Sequence, residues 1–219
     1  MKRILAVLLC ALLLCGTALA DNGFVEWEFD PWRVAQFSDG LTAITGYTGS
    51  KQEVTLETSI GLFYEQVTGI GSIVFNDELR GVFAGTEVEK VIIPKGIVTV
   101  FSNPFIKAEK LTEIELQGNT AFKVEDGVLF SADGKALLGY PGGLTAQSYT
   151  VPDGTVSLID YAFAYQPNLT LVVIPASVTE LGEGVFEGCE NLIVSAPSGS
   201  AAEAYCAEHG ITCAPAWGN

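Results

Sequence analysis

Taken as a string of apolar and polar positions, the chain repeats one phrase. Asn168–Phe186, "NLTLVVIPASVTELGEGVF", runs apolar, then Ile-Pro, then apolar, and closes on Phe. Glu87–Phe105, "EVEKVIIPKGIVTVFSNPF", has the same layout. Anchored on proline, Pro94, Pro152 and Pro175 are each followed eleven residues later by Phe105, Phe163 and Phe186. The place three past the Pro holds Ile97, Thr155 and Val178, and the place six past holds Val100, Leu158 and Leu181. One before it stand Ile93, Val151 and Ile174; three before it stand Val91, Tyr149 and Val172. A Leu returns six residues after each Phe, at Leu111, Leu169 and Leu192.

The spacing from Phe83 to Phe105 is 22 residues and from Phe163 to Phe186 it is 23. A period of that length, with one β-prone segment per unit, predicts a leucine-rich-repeat-type right-handed solenoid of short strands. One unit cannot bury its apolar face alone, so units stack and share a core. In Leu169–Ile174 the alternation sends Leu169, Val172 and Ile174 inward and Thr170, Leu171 and Val173 outward. The Pro ends the strand because it has no N–H to donate. The same register places Glu89, Lys90 and Ile92 outward in one unit and Thr112, Glu113 and Glu115 in the next. "KLTEIELQGN" and "EVTLETSIGLFYEQVTGIGSIVF" read as degenerate units, and either Phe75 or Phe83 closes the second of them. The count is about five units. Phe105, Phe163 and Phe186 share one place and are expected to stack as an aromatic spine.

Other stretches break the period. In "FKVEDGVLFSADGKALLGYP", Asp133-Gly134 between two apolar runs signals a hairpin turn, so a β-hairpin is expected near 122–140. At the start, "FVEWEFDPW" puts Val25, Trp27 and Phe29 on one face and Glu26, Glu28 and Asp30 on the other, with a further hairpin through Asp39-Gly40. At the end, Ser200 with Glu203 three residues on is a capping box that opens a short helix, and Gly210 is its stop. Open solenoid ends expose core and sheet edge, so such caps are expected. The organisation read from this is a leader over 1–20, an N-terminal β cap over 21–53, the solenoid over 54–197 and a C-terminal helical cap over 198–219.

Composition adds three things. Lys2 and Arg3, the apolar run Ile4–Leu14 and Ala18-Leu19-Ala20 have the three-part form of a secretory signal peptide, which implies a secreted or cell-surface protein with no membrane span after cleavage. Loss of Lys2 and Arg3 takes the net charge from −15 to −17, which disfavours nucleic acid and anionic lipid as partners. Hydrophobic residues at 48% argue against disorder. Cys189, Cys206 and Cys213 remain after the leader; Cys206 and Cys213 are near in sequence and make a possible disulfide.

The unit "AFAYQPNLTLVVIPASVTELGEGVFEGCENL" resembles the BspA-like leucine-rich repeats of exported proteins from host-associated bacteria and some parasitic protists. "ITGYTG" at Ile44–Gly49 is similar to the family's opening, "VEDGVLFSADGKALLGYP" to its recurring hairpin insert, and "SGSAAEAYCAEHG" to its terminal helix. The resemblance covers roughly residues 40–219. It implies adhesion-type protein binding at a surface, to a host or envelope protein. The chain shows no cell-wall sorting motif, surface-layer domain or C-terminal sorting domain of the kind that would retain an adhesin.

Chemistry is sparse. His209 is the one histidine and sits in the expected terminal helix, so a nucleophile has no obvious base and zinc lacks ligands. Cys189 reads as a core residue. Glu87, Glu89, Glu109, Glu113 and Glu115 fall on or near outward places of two adjacent units. The spacing of a stacked pair on neighbouring strands does not exclude a glycosidase pair, but nothing in the pattern raises one pKa. No calcium-loop motif occurs. The expectation is a non-catalytic protein-interaction module with no metal or cofactor. A structural envelope domain without a discrete ligand is the alternative, and a carbohydrate-active solenoid enzyme a more distant one. The candidate binding face is Glu89, Lys90, Ile92, Thr112, Glu113, Glu115, Thr170, Leu171 and Val173.

Overall fold

The computed structural model describes residues 23–61 and 65–215. The leader reading over 1–20 lies outside the described residues. Among those described, twenty-one strands and one helix are numbered here along the chain. A first sheet begins with an antiparallel meander, β1 (Phe24–Phe29), β2 (Trp32–Phe37) and β3 (Thr42–Tyr47), and continues in parallel through β7 (Gly69–Ile70) to β11 (Thr99–Val100). A second, parallel sheet has β10 (Lys90–Pro94) between β4 (Glu53–Thr55) and β12 (Glu113–Gln117). The pairs β5 (Ser59–Ile60) with β6 (Glu65–Gln66) and β8 (Ile73–Phe75) with β9 (Glu78–Arg80) are small hairpins in the connections. A third sheet opens on a second meander, β13 (Phe122–Glu125), β14 (Val128–Ser131) and β15 (Ala136–Gly139), and runs on in parallel to β17 (Ser157–Leu158) and β19 (Glu180–Leu181). The fourth is parallel: β16 (Ser148–Thr150), β18 (Leu171–Val173), β20 (Ile193–Ala196) and β21 (Thr212–Pro215). The chain thus winds into a β-solenoid of about seven turns, closed by α1 (Ala201–His209).

The architecture occurs twice. In each half a meander turns into a parallel ladder while a second parallel sheet forms alongside. The halves correspond residue by residue where they start: Phe37-Ser38 with Phe130-Ser131, and Ala43-Ile44-Thr45-Gly46-Tyr47 with Ala136-Leu137-Leu138-Gly139-Tyr140. Ala43 and Ile44 pair with β7 as Ala136 and Leu137 pair with β17. Tyr47 N–H donates to Val82 O at 2.8 Å, and Tyr140 N–H to Ala162 O at 3.1 Å. Their rings lie 6.1 Å from Phe83 and 5.4 Å from Phe163. The expected hairpin near 122–140 is therefore a whole start-of-solenoid cap, used a second time inside the chain.

Each half has its own core. The larger cluster of the first half runs from Trp32 to Leu138 and includes Phe83 and Phe105; that of the second runs from Val128 to Cys206. Phe83 is fully buried and Phe75 half-buried, so Phe83 closes its unit. The aromatic spine is real only in the second half. Phe163 stacks on Phe186 with centroids 5.7 Å apart and planes 17° apart. Tyr205 of α1 ends the row edge-on to Phe186 at 6.2 Å. Phe105 is not next in line; the second meander delivers Tyr140 against Phe163 instead. The halves are joined by the loop around Asn103, which is completely buried. Its N–H donates to Asp160 O at 3.1 Å, and its side-chain amide to Tyr161 O and Ala162 O at 3.0 and 3.2 Å. Gly143 N–H donates to Leu111 O at 3.0 Å, a close approach that leaves no room for a Cβ.

The terminal helix forms for the expected local reasons. Ser200 Oγ accepts from Glu203 N–H at 3.2 Å, Glu203 reaches back to Gly199 N–H at 2.6 Å, and Gly210 takes a left-handed φ of 67° and returns its N–H to Cys206 O. Cys206 and Cys213 are free thiols in the structure, not a bridge. They are in hydrogen-bond contact; burial first, and Cys213 second, push the Cys206 thiol up to about 12. The Glu26 face of β1 is less open than the alternation suggests, because Glu26 accepts from Arg80 at 2.9 Å and Thr45 at 2.7 Å.

Two outcomes are expected. Phe163→Ala should cost about 3–5 kcal/mol through lost burial and a cavity, read from denaturant melts. Exposure to oxidised glutathione should lower the intact mass by two hydrogens as Cys206 and Cys213 close, leave Cys189 as the one titratable thiol among the described residues, and add about 2.5 kcal/mol for a loop of that size. A mass that does not change would show that contact alone does not bring the sulfurs into bonding geometry.

Candidate protein-interaction face

The outward sides of the second and fourth sheets each present a regular cross-strand surface. On the second, cross-strand rows place Glu53, Lys90 and Glu113 side by side, and Thr55, Ile92 and Glu115 in the next row. Lys90 Nζ lies 2.7 Å from Glu115, 2.9 Å from Glu113 and 4.0 Å from Glu53. Hydrogen bonds to Glu115 and Glu113 hold its ammonium above the usual lysine range. Glu89 accepts from Gln52 Nε2 at 2.9 Å. One lysine thus lies within 4.0 Å of three carboxylates, Glu53, Glu113 and Glu115, and the rest of their charge faces solvent. Thr112 is exposed and packs its hydroxyl against Glu89 O at 3.5 Å.

Ile92 does not belong to the face. Its position is outward, but it is 8% exposed. It sits on the central strand, paired with Thr55 on one side and Glu115 on the other, beside the Lys90–Glu115 ion pair.

On the fourth sheet, Leu171 and Val173 are half-buried, and Thr170 is exposed with its hydroxyl on Gln147 O at 3.0 Å. Leu171 stands directly across from Ile193, which is 42% exposed. Leu171, Val173 and Ile193 therefore form one apolar patch. Ile193 was legible from the proline anchor, since it stands four before Pro197 as Leu171 stands four before Pro175. Glu53 was not legible, because no proline marks β4. The acidic and apolar sheets are separated by the Asp126–Gly127 turn of the second meander, where Gly127 approaches Leu144.

The thiol and imidazole do not form a reactive pair. Cys189 and His209 line one open cleft of about 440 Å³. The His209 ring lies on Tyr205 with centroids 4.0 Å apart, and its Nδ1 is 2.9 Å from Tyr205 O. Cys189 Sγ donates to Phe163 O at 3.1 Å, and burial pushes its pKa up, which favours the unreactive thiol. Among the described residues no group of three or more His, Cys, Asp or Glu could hold a metal ion, and no helix is long and apolar enough to cross a membrane.

The sequence is similar to known repeats. The family description "BspA type Leucine rich repeat region" matches in six copies over residues 58–131 and 143–200. No curated protein matches the chain. Among solved structures, a leucine-rich repeat protein from Eubacterium ventriosum is 22% identical with a TM-score of 0.49, over 77% of this chain and 65% of that one. The chain therefore spans about two thirds of that protein's length. The leucine-rich repeat protein of T. pallidum is 20% identical with a TM-score of 0.40, over 78% and 71% of the two chains. A leucine-rich cell surface protein from Faecalibacterium prausnitzii is 14% identical with a TM-score of 0.30, over 89% and 95%.

Lys90→Met should lower the melting temperature at neutral pH and low salt, because it leaves Glu53, Glu113 and Glu115 facing one another. The deficit should shrink in high salt and below about pH 4, where carboxylates protonate. In the parent protein the raised lysine pKa means the contribution holds at neutral pH and is lost as pH climbs through the alkaline range. A deficit that persists at low pH would assign the effect to lost packing of the lysine stem.

Proposed function

Since the chain belongs to the BspA-type leucine-rich repeat family, we propose that it is an exported, non-catalytic scaffold that binds a protein partner through the outward sides of its second and fourth sheets. The observation that carries this is the joined patch of Leu171, Val173 and Ile193 on the fourth sheet, together with the acidic cluster around Lys90 on the second. A repeat solenoid offers an extended open surface whose shape is fixed by the stacked core. Exposed branched aliphatics on a sheet cost solubility unless something covers them. The carboxylates give the partner's basic groups long-range attraction and orientation, and the aliphatics give area to bury. The leader pattern of residues 1–20 supports export. Adhesion to a host or cell-surface protein is the role that fits an exported member of this family.

Capture from host-matrix and envelope fractions, followed by titration of the captured protein, tests the reading. Leu171→Lys with Val173→Lys should weaken binding about tenfold or more, a loss of ~1.4 kcal/mol, while melting stays within about 1 kcal/mol for partly exposed positions. Wild-type affinity should fall from low to physiological salt. Equal affinity of the double variant would remove this face, and N-terminal sequencing of secreted protein that does not begin at Asp21 would overturn the leader.

A further inference from the structure

The second and fourth sheets would form one continuous ladder if β16 lay against β12. They do not. β12 ends the second sheet and β16 begins the fourth. The chain is still in step just before this point, where Gly143 N–H bonds Leu111 O. It then diverges around the Asp126–Gly127 turn, which approaches Leu144. The result is a cleft of about 450 Å³ along β16, lined by Asp126, Tyr140, Leu144, Thr145 and Tyr149 among others.

The cleft wall is a free strand edge. Gln147 O accepts from Thr170 and Leu171 N–H, and Val151 N–H donates to Val173 O, so residues 147, 149 and 151 face β18. In a parallel ladder alternate residues bond to opposite sides. Ser148 and Thr150 therefore turn their N–H and C=O groups into the cleft, and both are exposed. Natural edges are guarded by charge, proline, bulges or cover. β12 carries Glu113 and Glu115, whereas Thr145–Thr150 holds neither a charged residue nor a proline. The Tyr149 hydroxyl adds a buried polar group without a hydrogen-bond partner. Across the cleft, Asp126 and Glu125 act electrostatically on that hydroxyl. Glu125 is neutralised by Lys123 at 2.6 Å, which leaves Asp126 to face an incoming group.

We propose that the free edge of β16 is a strand-addition site: an extended, lysine- or arginine-bearing segment of a partner protein pairs with Ser148 and Thr150 between β16 and the Asp126–Gly127 turn. Main-chain hydrogen bonds supply the affinity in this mode of recognition, and pockets for alternate side chains supply the selection. Asp126, in a chain of net charge −15, selects a basic segment over an acidic one. A second copy of this chain would bring two Asp126 carboxylates and two acidic bodies together, which disfavours edge-to-edge pairing of like chains. The site lies on the edge of the fourth sheet and does not rest on the open-face reading.

The probe is a labelled hexapeptide of alternating Lys and Val, compared with its fully N-methylated counterpart, which keeps charge and side chains but has no N–H. Fluorescence anisotropy against the mature protein should show the unmethylated peptide binding at least about tenfold more tightly, ~1.4 kcal/mol. Ser148→Pro should weaken the unmethylated peptide severalfold, since it deletes an outward N–H that would donate to a peptide carbonyl. Asp126→Lys should weaken the unmethylated peptide about tenfold at low salt and less at high salt. Leu171→Lys with Val173→Lys should leave the difference in place, which separates this edge from the open face. Equal binding of the two peptides would reduce the site to charge attraction and overturn the proposal, as would no binding of the unmethylated one. A dimer in sedimentation that Ser148→Pro dissolves would replace the proposed occupant by a second copy. If Ser148→Pro fails to fold, the two peptides on the unaltered protein still decide.

Discussion

No turn of this chain can satisfy itself. A unit of twenty-odd residues has too little apolar surface to close a core, and its strands of two to five residues leave every second backbone group pointing along the solenoid. Each turn is completed by the next, as Val82 N–H is by Pro104 O and Tyr161 N–H by Glu183 O. The stacked Phe, Leu and Ile places follow from that demand, and so do the caps. An end that stops without one exposes a core layer and a row of unpaired amides. The protein meets this three times: with the β1–β3 meander, with α1, and with the β13–β15 meander in mid-chain.

The internal cap explains most of what sequence reading recovered and most of what it missed. The Pro-to-Phe period survives wherever a turn stacks directly on another of its kind, so the inward places of β10 and β18 were legible to the residue. The period says nothing about which turn is neighbour to which. Phe105 and Phe163 hold the same place in the phrase, yet the second meander puts Tyr140 between the halves, and the spine is interrupted there. Asp133-Gly134 was a clear turn signal because Asp133 Oδ1 caps Lys135 N–H at 3.0 Å. The preceding turn at Asp126-Gly127, with φ of 51° and 80°, carries the same dipeptide and was not singled out. The duplication was visible in "AITGY" and "ALLGY" and needed the register of β3 and β15 to give it meaning.

The face shows a different limit. Alternation predicts direction, and it did so for Lys90, Glu113, Glu115, Leu171 and Val173. Exposure depends also on the neighbours across the sheet, and those come from other turns. Ile92 points outward and is buried. Ile193 points outward at the same kind of position and is open. The two differ in their cross-strand company, Thr55 and Glu115 in one case and Leu171 and Thr212 in the other. A single repeat carries no information about that company.

The repeated cap has a consequence for how the chain acquires its shape. In a stacked solenoid folding can nucleate at any turn and spread to its neighbours. Here Gly139-Tyr140 gives the second half its own starting point, with a core that shares few residues with the first. Folding can begin at two places and meet at Asn103, whose buried amide finds its acceptors only when both halves are in position. A chain built this way can also change length by whole cap-and-ladder blocks without inventing a new end, because every block brings the lid it needs.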